Sequence, residues 1–322
     1  MAILDGPLGT DGNALRLVRA DGVEVAHADL ASSVEAVALA GRRALIAGDG
    51  RILALDDRGS LTEVERLAPE DPTDLVRGVI ADPTGSTWLW TVLHRDPGGD
   101  LHSRVYLGAD GADPRLLLDH VDADHALSPL SWSPEGPLVA EDPVGIGGYI
   151  LFRRAFGATD RVDVDRGVLV PVAPAACALS DLAADGTAAC IADGREGPHG
   201  DGPVTLRLLA AGRAARSLAF PADVSQAGAS FFSPDGTHLT VATSPAAGGD
   251  AEEVTAELVD LPALVSHPLA GGLIPAGWLS PTTVVTFRPE GVAGGDPGTY
   301  LLGLDGTSTR LSTSSTVVGL AA

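Results

Sequence analysis

The stretch FFSPDGTHLTVAT, residues 231–243, sets two apolar runs on either side of Ser233-Pro234-Asp235-Gly236. Pro234 fixes φ at the first corner of a type I turn, Asp235 can bond back to nearby backbone, and Gly236 accepts the positive φ that closes a hairpin. The chain repeats this unit. Related segments are IADPTGSTWLWTV (80–92), SWSPEGPLVAED (131–142), DLAADGTAACIAD (181–193) and GWLSPTTVVTFR (277–288). Their turn centres are Thr84, Glu135, Asp185, Asp235 and Thr282, with successive separations of 51, 50, 50 and 47 residues. A fixed period of that size in an all-strand pattern indicates radial repetition, hence an all-β chain folded as a β-propeller.

If each turn links an innermost strand A to the next strand B, the chain divides into four-stranded units. Seven blades follow, at approximately 314–320 with 2–30, then 34–67, 75–121, 126–168, 176–221, 227–268 and 274–311. They form one domain over 1–322 with a mean of 46 residues per blade; six blades is the alternative if the weak last unit is misread. The first unit lacks a strand A, and the C-terminal TVVGL (316–320) can supply it, closing the ring without an open edge.

Composition narrows the partners. The 43 acidic and 21 basic residues give a net charge of −22, and every basic residue is Arg. Without Lys there is no Schiff-base chemistry and no Lys cradle for phosphate. An acidic surface repels nucleic acid and anionic lipid, so no nucleic acid is expected as a partner, and no membrane insertion. The most apolar run, 168–179, is interrupted by Pro171 and Pro174 and is too short to span a bilayer. The protein is exported or envelope-associated if a leader precedes it, and cytoplasmic otherwise. A three-residue hairpin loop with Ala183 facing Thr187 would set Cys190 opposite Ser180, about 10 Å along the strand from a partner for Cys177. That register predicts two buried free thiols unless the start of the strand is irregular.

In such blades the A–B turns are short, whereas B–C connections at 94–103, 142–148, 193–203, 244–253 and 288–298 are long and rich in Gly, Pro and Asp. Five long loops at one end of the strands, with the D–A crossing 119–125 beside them, mark a working face. The charged candidates there are Arg95, Asp96, Asp142, Arg195, Glu196, Arg288 and Glu290, with the three arginines able to clamp a carboxylate. An acidic rim favours a protein partner with a basic surface, or a cation. The crossing DHVDADH offers Asp119, Asp122 and Asp124 as oxygen ligands for Ca²⁺, yet it lacks the Gly and distal Glu of an EF-hand, and a solvated acidic loop is the simpler reading. The other histidines, His94 and His102 among them, look dispersed over surface and turns. No G-x-S-x-G elbow and no Gly-rich nucleotide loop is present. Charge on the inner strands is confined to Glu35, Asp74, Arg77 and Asp181, too sparse for the metal ring of a propeller enzyme. No cofactor is expected, and Trp132 and Trp278 should fill gaps between blades while Trp88 and Trp90 lie in the core.

The hairpins Ser233–Gly236 and Ser133–Gly136, with looser variants at Asp185 and Pro83, resemble those of the TolB/WD40-like repeat family over about residues 34–311. The Gly-His and Trp-Asp signature of true WD40 repeats is missing. The resemblance implies a non-catalytic scaffold that docks protein partners, often exported or envelope-associated. Arg-only, Ala/Gly-rich usage fits a high-GC bacterium. The expectation is therefore a scaffold, not an enzyme, that binds a protein or small ligand through its B–C loops. The alternatives are a metal-dependent enzyme of lyase or lactonase kind, and a rigid structural subunit of a larger assembly.

Overall fold

The computed structural model describes residues 1–5, 12–19, 21–30, 33–67, 74–144, 157–174, 177–192, 203–245, 253–313 and 316–319. Among these residues there are strands and turns but no helix. Seven four-stranded antiparallel sheets form the blades of a seven-bladed β-propeller. Blade 1 holds β1 (Ala2–Asp5), β2 (Ala14–Val18) and β3 (Glu24–Asp29), and its innermost strand is β28 (Thr316–Gly319), in the order β28-β1-β2-β3. The C-terminal strand thus completes the N-terminal blade.

Blade 2 contains β4 (Ala36–Ala40), β5 (Arg43–Gly48), β6 (Arg51–Leu55) and β7 (Leu61–Arg66). Blade 3 contains β8 (Leu75–Ala81), β9 (Thr87–Arg95), β10 (Leu101–Ala109) and β11 (Arg115–Asp122). In blade 4 are β12 (His125–Ser133), β13 (Gly136–Pro143), β14 (Thr159–Asp163) and β15 (Val168–Ala173), so its outer strand ends five residues beyond the sequence expectation. Blade 5 has β16 (Ala178–Leu182), β17 (Ala188–Ala192), β18 (Thr205–Leu209) and β19 (Arg216–Ala219). Blade 6 has β20 (Val224–Phe232), β21 (His238–Pro245), β22 (Thr255–Asp260) and β23 (Val265–Gly271). Blade 7 has β24 (Ile274–Ser280), β25 (Thr283–Arg288), β26 (Gly298–Gly303) and β27 (Ser308–Ser312). The chain falls into two compact units, one of Met1–Ile146, Phe156–Val172 and Val318–Ala322, the other of Gly147–Ala155 and Ala173–Val317.

The turns work as their sequences suggest. Gly236 N donates to Ser233 O (2.9 Å) and Ser233 N to His238 O (2.9 Å), with Gly236 at φ +68°. Asp235 Oδ1 accepts from Ser233 Oγ, Thr237 N and Thr237 Oγ1 at 2.7–3.2 Å, and these bonds hold its carboxyl below the usual range. The same closure recurs at Asp82–Thr87, and one shorter by a residue at Ala183–Thr187.

Packing is between blades. Within the first unit, the alanine-rich face of blade 2 (Ala38, Ala40, Ala47, Ala54) receives the fully buried Trp88 and Trp90 of blade 3. Small residues opposite large ones let the sheets interdigitate, and burial of each large side chain contributes about 1.5–3 kcal/mol. Trp132 packs with the cluster shared by blades 3 and 4, as expected of a gap filler. Within the second unit, Trp278 does so between blades 7 and 6 and donates from Nε1 to Phe231 O at 2.8 Å.

The innermost strands carry a feature absent from the hairpin reading. Pairing with strand B shifts register at Val76/Gly78, Pro129/Ser131, Leu179/Asp181, Gly228/Phe231 and Pro275/Gly277, so a bulge recurs in five successive blades. Strand A is an edge strand, and its outward N–H groups need other acceptors. In the second unit the bulges mate: Ser230 N donates to Ser180 Oγ (3.0 Å), and Phe232 N to Asp181 Oδ2 (2.7 Å). In the first unit Glu35 accepts from the Val76 amide of the next inner strand.

The bulge also corrects the cysteine expectation. Ala183 does face Thr187, but Ser180 is left over, Leu179 pairs with Cys190, and Cys177 N donates to Pro174 O in a turn. The Cys177 and Cys190 Cα atoms come to 4.9 Å, and the two residues form a disulfide. Free thiols were predicted from an unbroken register, and the register is broken.

Burial in the seam between blades 5 and 6 pushes the Asp181 carboxyl up to about 7, against the pull of the amide bond from Phe232. A carboxyl raised in the folded state contributes stability fully present below its unfolded value, 3.8, and lost as pH rises through about 7. Asp181→Asn keeps the acceptor oxygen without the charge. The wild-type Tm should fall by several degrees relative to Asp181→Asn between about pH 4 and pH 8, the two curves converging at the acid end. Parallel curves across that window would show that the carboxyl is not so placed.

Candidate functional site

Antiparallel alternation puts the B–C connection and the D–A crossing of each blade at one end of its strands. Blade 3 shows most at that end. β9 and β10 are joined by a tight turn in which Asp96 N donates to Asp100 O and Gly99 N to Asp96 O, with Gly99 at φ +98°. The register pairs Arg95 with Leu101 and His94 with His102. Two histidines eight residues apart therefore become cross-strand neighbours, their rings edge to face with centroids 5.9 Å apart.

Carboxylates surround this pair. Asp74, its side chain 2% exposed, brings Oδ1 to 2.7 Å from His94 Nδ1. Asp119 lies opposite Arg104 on the neighbouring strand, with Oδ1 at 3.1 Å from His102 Nδ1 and Oδ2 at 3.5 Å from Arg104 Nε. Asp96 Oδ2 is 3.9 Å from His102 Nε2. Sequence reasoning missed this grouping by treating the histidines as dispersed. The signal lay in counting outward from the turn: Asp96–Asp100 as a five-residue loop makes positions 94 and 102 face each other.

The predicted residues fare unequally. Arg95 is exposed, and its guanidinium bonds Gly99 O at 2.6 Å within its own loop, while Asp96 Oδ1 accepts from Asp100 N. Asp142 is a partly buried residue of β13 opposite Ala126. Glu290 is exposed. Arg195 and Glu196 lie outside the described residues. Arg288 is no clamp: it is 7% exposed, with Nε on Gly272 O (2.7 Å), Nη2 near Gly271 O (3.4 Å) and Nη1 near Asp296 O (3.5 Å), its guanidinium 5.3 Å from the Tyr300 ring centre. It ties the crossing into blade 7 to that blade's B–C loop, a structural task.

Asp119, Asp122 and Asp124 do not converge. Asp119 belongs to β11 and not to the crossing, which shrinks to two residues between Asp122 and His125. Asp122 Oδ1 accepts from the Asp124 and His125 amides (2.7 and 2.8 Å), which hold its carboxyl low, and Asp124 is exposed. Among the described residues no group of three or more His, Cys, Asp or Glu side chains is placed to hold a metal ion. Blade 3 thus sets the carboxylates of Asp74, Asp96 and Asp119 beside two imidazoles, with Arg104 on Asp119.

No family model and no curated relative matches this chain. Solved structures similar to it include puromycin hydrolase (TM-score 0.57, 14% identity, 98% of this chain and 54% of that one). Others are YCF48 bound to D1 peptide (TM-score 0.52, 11% identity, 95% and 87%) and TolB from Acinetobacter baumannii (TM-score 0.47, 12% identity, 95% and 77%). What the puromycin hydrolase and YCF48 structures share with this chain is the fold, so the resemblance expected from the hairpins holds at that level alone. The chain spans about half the length of the puromycin hydrolase it matches. The expectation that the protein is not an enzyme is corrected by this neighbour, since the fold occurs in a hydrolase as well.

Arg288→Ala leaves buried carbonyls unsatisfied and should cost about 3 kcal/mol in urea unfolding, whereas Arg95→Ala should stay within about 0.5 kcal/mol. Equal, small losses would restore Arg288 as a surface residue available to a ligand.

Proposed function

We propose that this propeller binds a basic partner protein through the B–C ends of its blades, with blade 3 as the centre of the contact. The observation that carries the reading is the grouping of Asp74, Asp96 and Asp119 around the His94–His102 pair. The opposite ends support it by contrast. There the carboxylates of Asp56, Asp82, Asp185, Asp235 and Asp305 are committed to amides and hydroxyls of their own turns. A net charge of −22 steers a basic surface and makes association salt-dependent.

The absence of Lys dictates the test, because amine-reactive cross-linkers find no side chain here. A carboxyl-reactive dihydrazide applied in an extract of the producing cells should link partner peptides at Asp96, Asp124 and Glu290, with yields falling as salt is raised. Links concentrated at Asp57, Asp113 and Asp185 would place the working end on the other side.

One observation favours a second reading, acid–base hydrolysis: buried Asp74 orients His94 at 2.7 Å in the manner of a general base and its positioning carboxylate. A panel of chromogenic esters and amides should then include one that wild type turns over and His94→Ala turns over about 100-fold or more slowly. No turnover, or turnover indifferent to the substitution, removes this reading.

A further inference from the structure

Between blades 1 and 2, well apart from the blade 3 grouping in sequence, lies a cavity of about 350 Å³. That is within the range of small-ligand sites, about 300–1,000 Å³. Its apolar wall is Leu30, Val34, Ile46, Leu53 and Leu61. Four of these also belong to or pack on the core cluster shared by the two blades, so the wall is anchored to a rigid element. Leu61, 38% exposed, stands outside that cluster. Gly48 lets the crossing from blade 1 pass close to β5, since a Cβ there would collide with the Ser33 carbonyl.

One cationic side chain lines the cavity. Arg51 Nε is buried with no hydrogen-bond partner, and its Nη1 lies 4.0 Å from Glu63 Oε2, beyond hydrogen-bond reach. The two carboxylates of the lining have other partners beside them. Asp29 reaches solvent, its side chain 92% exposed, with His27 Nε2 at 3.0 Å, and Glu63 has Arg66 Nε at 3.3 Å. Ser33 adds a hydroxyl whose bond to Asp49 Oδ1 is long, 3.5 Å. A guanidinium whose buried Nε lacks an acceptor, on a side chain 41% exposed and beside an aliphatic wall, is complementary to a carboxylate carried on an aliphatic chain, because the anion can bond the Nε edge while the chain leaves water.

We propose that this cavity is a binding site for an aliphatic carboxylate, with Arg51 receiving the anionic head and Leu30, Val34, Leu53 and Leu61 the chain. A short fatty acid and a peptide C-terminus ending in an aliphatic residue share this chemistry.

Calorimetric titration of the full chain with octanoate, octylamine, Ala-Ala-Leu and Ala-Ala-Leu-amide distinguishes them. Saturable one-to-one binding of octanoate or of the free tripeptide is expected, with the tighter of the two naming the source, and with octylamine and the amide at least tenfold weaker. Arg51→Gln should weaken the carboxylate at least tenfold at an unchanged Tm. Should that variant fail to fold, Leu61→Trp, which fills the cavity from its exposed rim, should abolish binding instead. Absence of binding by both carboxylates overturns the proposal. So does octylamine binding as well as octanoate, or an affinity unmoved by the folded variants.

Discussion

Four strands of four to nine residues make a sheet too small to bury either face alone, and every other feature of this protein answers to that constraint. Each blade has to find its core on a neighbour. The pairing of an alanine-rich face on blade 2 with Trp88 and Trp90 on blade 3 is one solution, and the cluster joining Leu206, Leu239 and Val241 across blades 5 and 6 is another. The inner strand of each blade is a second liability, because one row of its backbone groups faces away from its own sheet. The bulges answer it. By pushing one residue out of register they bring a side chain such as Ser180 or Asp181 against the amides of the next blade, at 3.0 and 2.7 Å. The cost is a carboxyl raised by burial; the gain is a seam in which the polar backbone is satisfied.

The two ends of the strands solve different problems. At the A–B end, Asp and Gly residues hold the turns by local bonds that consume the carboxylate, as Asp235 does with Thr237. At the B–C end, side chains from different segments meet: His94 and His102 across a hairpin, and Asp74, just before the inner strand, against His94. The contrast is one of degree, since at the A–B end Arg43 reaches Asp110 of the next blade at 2.9 Å. Arg288 shows that the distinction cannot be drawn by sequence position alone, since it sits at the B–C end and yet is spent on the carbonyls of Gly271, Gly272 and Asp296.

Most of the fold was legible because its punctuation is chemical. Pro, Asp and Gly at the turns specify backbone dihedrals directly, and their spacing of about 50 residues carried over into the blades. The strand that completes blade 1 was legible for a related reason: the first unit lacked a partner, and one orphan apolar strand remained at the other terminus. The bulges were not legible. No residue type demands them, since Arg77, Leu130 and Ser180 all occupy them, and register is set by contacts with the next blade. Misplacing one residue of register at Ser180 was enough to turn a disulfide into a pair of thiols. The histidine pair failed on the same ground, because its grouping depends on which residues a five-residue turn sets opposite each other.

The N-terminal blade has the C-terminal strand Thr316–Gly319 as its inner strand. Amide exchange on the full chain and on a chain ending at Thr313 probes that pairing. Truncation is expected to release protection in Ala2–Asp5, the strand β28 pairs with, before it affects Leu75–Ala81 of blade 3, and to lower Tm sharply. Unchanged protection of Ala2–Asp5 in the truncated chain, at an unchanged Tm, would contradict it.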